Sequence, residues 1–206
     1  MASIDHGIPD SMCRSGNQKS QSKHLPGEPG VWVLIGGDTL VFSLLFVTYL
    51  TYRNASLSIY EGGQRLLDLP LGLLNTILLL SSSWCVAQAV RAARRNHLRP
   101  ASTFFGLGFL CGAGFVAVKA VEYHEKFAAG LDIGTNEFFM FYFVLTGIHL
   151  LHVLVGLSLL AGLRHKIRRQ AHISGPDMVL IESGATFWHL VDVLWIVLFA
   201  LLYLTR

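Results

Sequence analysis

The chain has 206 residues, of which 52% are hydrophobic and only 14% are charged, and its net charge is +3. Soluble domains typically contain about 25% charged residues, so this composition argues against a soluble protein and favours a membrane protein. The basic residues fall in short clusters rather than on one broad face, which argues against nucleic acid as a partner.

The N-terminal part of the sequence is polar and contains no apolar segment of the kind found in signal peptides. We therefore interpret residues 1–28 as a flexible cytosolic tail and residues 29–206 as one membrane domain. Pro29 suits the first turn of a helix, where its missing N–H costs no hydrogen bond.

Five apolar stretches follow, each long enough to cross the hydrocarbon core of a bilayer as a helix, which takes about 20 residues. They are residues 31–52, 69–90, 101–118 with a continuation to 124, 138–163 and 179–204. Backbone polar groups in lipid need internal hydrogen-bond partners. The sequence therefore predicts an all-α integral membrane bundle of five transmembrane helices.

The distribution of lysine and arginine predicts the orientation of these helices. Eleven such residues lie in the N-terminal tail, the second-to-third loop and the fourth-to-fifth loop. Four lie on the opposite side, namely Arg53, Arg65, Lys126 and Arg206. We expect a cytoplasmic N-terminus and a C-terminus outside, as five spans also require.

The first predicted helix contains a carboxylate, Asp38, near the start of the apolar run GDTLVFSLLFVTYL at residues 37–50. A charged residue at the centre of a membrane helix costs roughly 2.5–3.5 kcal/mol on insertion scales. Asp38 is therefore a candidate functional residue, either as a structural hydrogen-bond partner or in proton exchange.

The third predicted helix combines a packing motif with three charges. Gly108 and Gly112 form a GxxxG motif, which favours close approach of helices. Lys119 and Glu122 are three residues apart, and Glu122 and Lys126 are four apart, so both spacings allow ion pairs on one helix face. We expect structural salt bridges, with participation in a proton path as the alternative.

The fourth and fifth predicted helices contain three histidines, His149, His152 and His189, and two carboxylates, Glu182 and Asp192. Intramembrane carboxylates should face the bundle, and we expect these histidines to be their partners. The alternative is haem ligation by His149 or His152 together with His189. No Glu-x-x-His or His-Glu-x-x-His motif supports a metal site.

The three cysteines, Cys13, Cys85 and Cys111, are odd in number and form no Cys-x-x-Cys motif, so we expect free thiols. On these residues alone, three classes of protein remain open. They are an accessory subunit of a membrane complex, an ion or proton transporter, and a small haem protein. The lack of a visible internal repeat disfavours the transporter.

Four segments, in order along the chain, resemble the cytochrome c oxidase subunit III family. They are GEPGVWVLIGGDTLVFSLLF (27–46), KAVEYHEKF (119–127), FVLTGIHLLHVLVGL (143–157) and WHLVDVLWIVLFALLYL (188–204). The last contains the Trp-His-x-x-Asp-x-x-Trp pattern of the family's C-terminal helix. The family usually has seven helices, and a five-helix chain is similar to the subunit III-like proteins associated with nitric oxide reductase (the NorE branch).

This resemblance implies a non-catalytic accessory subunit in a bacterial inner membrane. The subunit would pack against the catalytic, haem-bearing subunit of a haem-copper oxidase or a related nitric oxide reductase. The resemblance implies no redox cofactor on this chain, with haem and metal in the partner subunit, and leaves bound phospholipid open.

Asp38 stands where the family has a carbodiimide-sensitive glutamate, a carboxyl that the family links to proton uptake. The side chain here is one methylene shorter. Six further residues match family positions, and the resemblance implies that they form an internal polar network and are not metal ligands. They are Glu122, His149, His152, Glu182, His189 and Asp192.

Overall fold

The computed structural model describes residues 29–205, all of them in helices or short connections. The helices are α1 (Pro29–Ala55), α2 (Leu57–Arg65), α3 (Leu69–Arg94), α4 (Leu98–Ala128), α5 (Glu137–Arg169) and α6 (Gly175–Phe199). A π-helical turn, Ala200–Leu204, continues α6. The interpretation of residues 1–28 as a tail, and with it Cys13, lies outside the described residues.

Five of the described helices, α1 and α3 to α6, are long and apolar enough to cross a membrane. This confirms the predicted all-α bundle and the predicted number of spans. Each predicted stretch lies within one of these helices, or within α6 and its π-helical turn, and α1 begins at Pro29 as the proline suggested. The direction in which the helices cross the membrane stays a prediction.

Two differences from the predicted elements have local causes. Helix α6 begins at Gly175 rather than near 179, because the carboxylate of Asp177 accepts a hydrogen bond from the backbone N–H of Ser174 (3.2 Å) and closes a capping box. The short helix α2 was not predicted. It packs on α5 through Tyr60, whose ring lies 5.8 Å from that of Phe138.

Helix α6 is the centre of the bundle. Its two tryptophans, Trp188 and Trp195, are fully buried. The ring of Trp188 fits where two other helices carry glycine: a Cβ atom added at Gly112 on α4 or at Gly156 on α5 would lie 2.8 and 2.6 Å from it. The ring of Trp195 stacks edge-on against Phe115 at 4.8 Å.

Helix α1 lies at the edge of the bundle. Only 6% of its apolar span is buried, against 56% for the span formed by α6 and its π-helical turn. Its inner contacts come from a few residues, notably Phe42 and Tyr49, which are buried against the other helices. The remaining face of α1 is open to lipid or to another protein chain.

Candidate functional site: the polar interior of the bundle

Lys119 on α4 is buried (1% exposed) and lies at the centre of a hydrogen-bonded group. Its Nζ donates to Glu122 Oε2 at 2.9 Å, to the hydroxyl of Tyr203 at 3.1 Å and to the hydroxyl of Tyr142 at 3.3 Å. The hydroxyl of Tyr203 also donates to the other carboxylate oxygen of Glu122. Three donors and both carboxylate oxygens are thus satisfied within the protein.

Four aromatic rings surround the Lys119 ammonium group. Their centroids lie 5.0 to 5.8 Å from Nζ, and they belong to Tyr123, Tyr142, Trp195 and Tyr203. Rings at this distance attract a cation electrostatically, more strongly when water is excluded. The π-helical turn positions Tyr203, and Gly72 on α3 makes room for it, since an added Cβ there would lie 2.9 Å from the Tyr203 ring.

The predicted ion pair between Glu122 and Lys126 is not formed. Lys126 Nζ instead donates to the backbone carbonyl of Leu66 at 2.6 Å and lies 3.7 Å from Asp68 Oδ2. The reason is that Glu122 is already occupied by Lys119 and Tyr203, whereas Lys126 reaches the connection between α2 and α3. Lys126 therefore joins two parts of the chain instead of extending the pair.

The structure pairs Asp38 with His152 of α5. Asp38 Oδ1 lies 3.4 Å from His152 Nε2, and His152 Nδ1 lies 2.9 Å from the backbone carbonyl of Ile148 on its own helix. Both side chains are partly exposed, at 19% and 22%. Asp38 is therefore a partnered carboxylate near the surface of the bundle, on the helix that is least covered.

His149, one residue from Ile148 on the same helix, is fully buried. Its ring lies between those of Phe115 (5.7 Å) and Trp195 (5.3 Å). Neither ring nitrogen has a hydrogen-bond partner among residues 29–205. The predicted pairing of His149 with an intramembrane carboxylate is therefore not seen.

Asp192 on α6 is buried at 3% exposed, and the imidazole of His189 lies one turn away on the same helix. Asp192 Oδ2 lies 4.0 Å from His189 Nδ1, which is at the limit for an ion pair. The same nitrogen lies only 2.7 Å from the hydroxyl of Ser83 on α3. The closest of these contacts of His189 is therefore with Ser83, and it links α6 to α3, whereas its contact with Asp192 is longer.

Glu182 has a different partner from the one expected. We expected a histidine, but Oε1 lies 3.0 Å from both Nε and Nη2 of Arg94, at the end of α3. Arg94 is largely exposed and Glu182 is not. The pair therefore closes the end of the bundle instead of belonging to its interior.

Gly108 and Gly112 both lie at close contacts of α4. The backbone carbonyl of Gly108 accepts a hydrogen bond from the Ser82 hydroxyl at 2.7 Å, and an added Cβ would lie 3.0 Å from Val86. Gly112 faces Trp188 and Leu157, as described for the core. The geometry is that of helix packing, and nothing at either glycine has the form of a ligand site.

Sequence reasoning missed the residues that complete the Lys119 group, namely Tyr142, Trp195 and Tyr203. It also missed Gln64 on α2, which is fully buried and donates to the Leu201 carbonyl and to the Thr205 hydroxyl, both at 3.2 Å. Tyrosine and tryptophan are common in apolar membrane segments, so they did not stand out as functional candidates. Gln64 lies in a polar stretch that resembles a loop, where a glutamine is expected to be exposed. The one signal available was that Lys119, deep in an apolar helix, needs more partners than Glu122 alone.

Two further observations concern ligand chemistry. Cys85 and Cys111 are free thiols, as predicted. Within residues 29–205, no three His, Cys, Asp or Glu side chains are grouped so that they could hold a metal ion. The polar residues of the interior mostly contact one another or the backbone.

These features define a class: a multi-pass helical membrane protein whose intramembrane charges are partnered mainly inside the bundle. Comparison with known proteins narrows the class. The sequence profile of the family called Cytochrome c oxidase subunit III matches residues 28–205. The chain belongs to this family.

Several relatives carry the names of oxidase subunits. Cytochrome c oxidase subunit 3 of Synechocystis sp. is 35% identical over 175 residues, which cover 85% of this chain and 74% of that protein. Quinol oxidase subunit 3 of Bacillus spizizenii is 30% identical, over 85% of each chain. Cytochrome bo(3) ubiquinol oxidase subunit 3 of Pseudomonas aeruginosa is 29% identical, over 85% of this chain and 84% of the relative.

Proposed function

We propose that this chain is the non-catalytic subunit III of a haem-copper terminal oxidase in a bacterial inner membrane. It packs against the catalytic, haem-bearing subunit and stabilises it. The observation that carries the proposal is the family match over 28–205, together with relatives that are named as subunits of oxidases. The partnered interior supports it, because Lys119 and Glu122 are sealed from solvent and hold the bundle together.

Oxygen is the electron acceptor that the comparisons favour for the complex. By its five helices the chain resembles the branch associated with nitric oxide reductase. The match to the quinol oxidase subunit of Bacillus spizizenii covers the same 85% of both chains, so that oxidase subunit is as long as this chain. A short chain is therefore no argument for nitric oxide reductase, although that complex remains the alternative partner.

A supporting role in proton supply is the finer part of the proposal. The carboxyl group of Asp38 and the imidazole of His152 lie within 3.4 Å of each other. Both are partly exposed, and Asp38 belongs to α1, the helix with the most uncovered surface. A carboxyl–imidazole pair at the edge of the bundle is suited to pass protons toward a neighbouring subunit.

The test is purification of the full chain from its native membrane in mild detergent. The tag is placed at the N-terminus, because a C-terminal tag could disturb the last residues of the chain. There the backbone carbonyl of Thr205 accepts a hydrogen bond from Arg53 at 2.6 Å. The co-purifying chains are identified, and a reduced-minus-oxidised spectrum is recorded for the complex and for the chain expressed alone. Oxygen consumption is assayed with reduced cytochrome c and with ubiquinol.

The proposal predicts a large haem-bearing partner with copper, oxygen consumption by the complex, and a colourless isolated chain. A partner that contains non-haem iron and reduces nitric oxide would move the chain to the reductase complex. Stoichiometric haem on the chain expressed alone would overturn the accessory role and make His149, His152 and His189 the candidate ligands.

A further inference from the structure

A groove between α4 and α5 has an unusual charge balance. It encloses about 230 Å³ and is lined by Phe109, Ala161, Arg164, His165 and Arg168. It lies at the end of the bundle that the arginine distribution predicts to face the cytoplasm. Two of the five lining side chains are apolar and three are basic, and no acidic residue of the described chain lines the groove.

Two other cations at this end of the bundle, Arg94 and Lys166, are paired with carboxylates. Arg94 lies 3.0 Å from Glu182, and Lys166 lies 2.6 Å from Asp177. Arg164 has no ion pair in the part of the chain that the structure describes, and Arg168 has only a 3.1 Å hydrogen bond from its Nε to the Ser102 hydroxyl. The two groove arginines therefore carry positive charge that no carboxylate among the described residues compensates.

The side chain of Arg164 packs closely against α4. The guanidinium group lies on Gly106 of α4: a Cβ atom added there would be 2.9 Å from Cζ and 3.1 Å from Nε. The Nε atom is buried and has no hydrogen-bond partner among the described residues. A buried donor without an acceptor costs free energy, and a small shift of the Arg164 side chain toward an acceptor from outside the chain would relieve that cost.

We propose that this groove binds the headgroup phosphate of an anionic phospholipid. Arginine guanidinium groups bind phosphate in a fork geometry, and basic pockets between transmembrane helices suit anionic headgroups. Phe109 and Ala161, nearer the middle of their helices, offer the apolar surface that an acyl chain requires. This inference goes beyond the proposed function and does not depend on which complex the chain joins.

The first test compares lipid binding by two double variants with equal charge changes. The full chain, with its co-purifying subunits, is delipidated in mild detergent and titrated with phosphatidylglycerol or phosphatidylcholine while binding is followed by native mass spectrometry. R164Q/R168Q removes both groove arginines. R91Q/R95Q removes two exposed arginines from the same end of the bundle, outside the groove.

Wild type and R91Q/R95Q should retain phosphatidylglycerol in preference to phosphatidylcholine. R164Q/R168Q should bind phosphatidylglycerol about 30-fold more weakly, the loss expected for two interfacial arginines. Equal binding by the two double variants would overturn the proposal. A melting temperature for each protein separates loss of the site from loss of the fold.

The second test changes geometry without changing charge. G106A displaces the Arg164 guanidinium group, because the added methyl would stand 2.9 Å from its Cζ. G114A adds the same methyl to the same helix, with only ordinary contacts of 3.6 and 3.7 Å to Leu78. The proposal predicts weaker phosphatidylglycerol binding for G106A and unchanged binding for G114A. Equal affinities for the two variants would contradict it.

Two controls distinguish other sources of an anion. Inorganic phosphate at millimolar concentration should not displace the lipid, and displacement would assign the site to a free anion. If R164Q/R168Q instead loses a co-purifying subunit while lipid binding stays at the wild-type level, the arginines bind an acidic protein surface. Either result would overturn the lipid assignment without affecting the proposed role in an oxidase complex.

Discussion

Lys119 Nζ lies 2.9 Å from Glu122 Oε2, one turn further along the same helix, and both side chains are almost completely buried. A buried ion pair costs much desolvation free energy, and only good geometry and additional hydrogen bonds offset that cost. Here the hydroxyls of Tyr142 and Tyr203 supply these bonds. The pair joins α4 to α5 and to the π-helical turn, so it connects three elements of the bundle.

Removing one member of this pair should strongly destabilise the bundle. K119M leaves the Glu122 carboxylate buried without its cation, and E122Q leaves the ammonium group without its anion. We expect each to lower the free energy of unfolding by about 3–5 kcal/mol. The measurement is thermal unfolding in detergent. Unfolding is monitored by labelling of the buried Cys85 thiol, in a background without the other two cysteines.

The control for this experiment is R94Q/E182Q, which removes an ion pair whose arginine is 59% exposed. Exposed pairs contribute about 1 kcal/mol or less, so this variant should resemble the wild type. K119M/E122M should recover part of the lost stability, and only part, because the two tyrosine hydroxyls lose their partner. A single K119M variant as stable as R94Q/E182Q would refute the structural role of the pair.

Replacement of Gly112 tests the packing of Trp188. An added methyl in G112A would lie 2.8 Å from both the Trp188 ring and Leu157. Overpacking of this kind typically costs about 1–3 kcal/mol. G147A is the matched control, since nothing lies within 4 Å of a Cβ atom at Gly147. Thermal unfolding should show a loss for G112A alone.

Replacement of Asp38 tests the proposed role in proton supply. D38N keeps the shape of the side chain but cannot exchange a proton at neutral pH, so the complex should turn over more slowly or inactivate sooner. D38E restores the carboxyl and should restore most of the rate. T39V, which removes an exposed hydroxyl bonded to the Ile35 carbonyl, serves as the control. Wild-type rate and lifetime in D38N would show that the carboxyl has no proton-related role.

Tyr60 should make stability fall at alkaline pH. Burial raises the pKa of the Tyr60 phenol above its ordinary value, so the folded state holds this proton more tightly than the unfolded state does. The stabilisation is complete below the unfolded pKa of about 10 and is lost as pH rises through the folded pKa. Melting temperatures of the wild type should therefore stay level from neutral pH upward and fall once the pH rises above about 10.

Y60F should reduce that fall. It should also be at least as stable as the wild type at neutral pH, because the Tyr60 hydroxyl has no hydrogen-bond partner among the described residues. Y52F alters an exposed tyrosine that contributes only a lesser part of the raised Tyr60 pKa, so it should change the dependence on pH far less than Y60F does. An identical fall in Y60F and the wild type would show that the phenol plays no part.

The membrane spans could be predicted from sequence because about 20 consecutive, mostly apolar residues are typical of membrane-spanning helices. The partners of the charged residues could not. Glu182 and Arg94 are 88 residues apart, and spacing along one helix says nothing about a contact with another. Glu122 was correctly paired with Lys119 because both lie on α4, where helical periodicity applies. Helix α2 was missed because a nine-residue helix with two glycines has little apolar periodicity of its own.

The Lys119 group also bears on how the chain enters the membrane during synthesis. Tyr142 and Tyr203 follow Lys119 by 23 and 84 residues, so both enter the membrane after α4 does. Glu122, on the same helix, is a partner that can neutralise the ammonium group during insertion. The tyrosines complete the site only after α5 and the last turn have entered the membrane, so the site closes late in assembly.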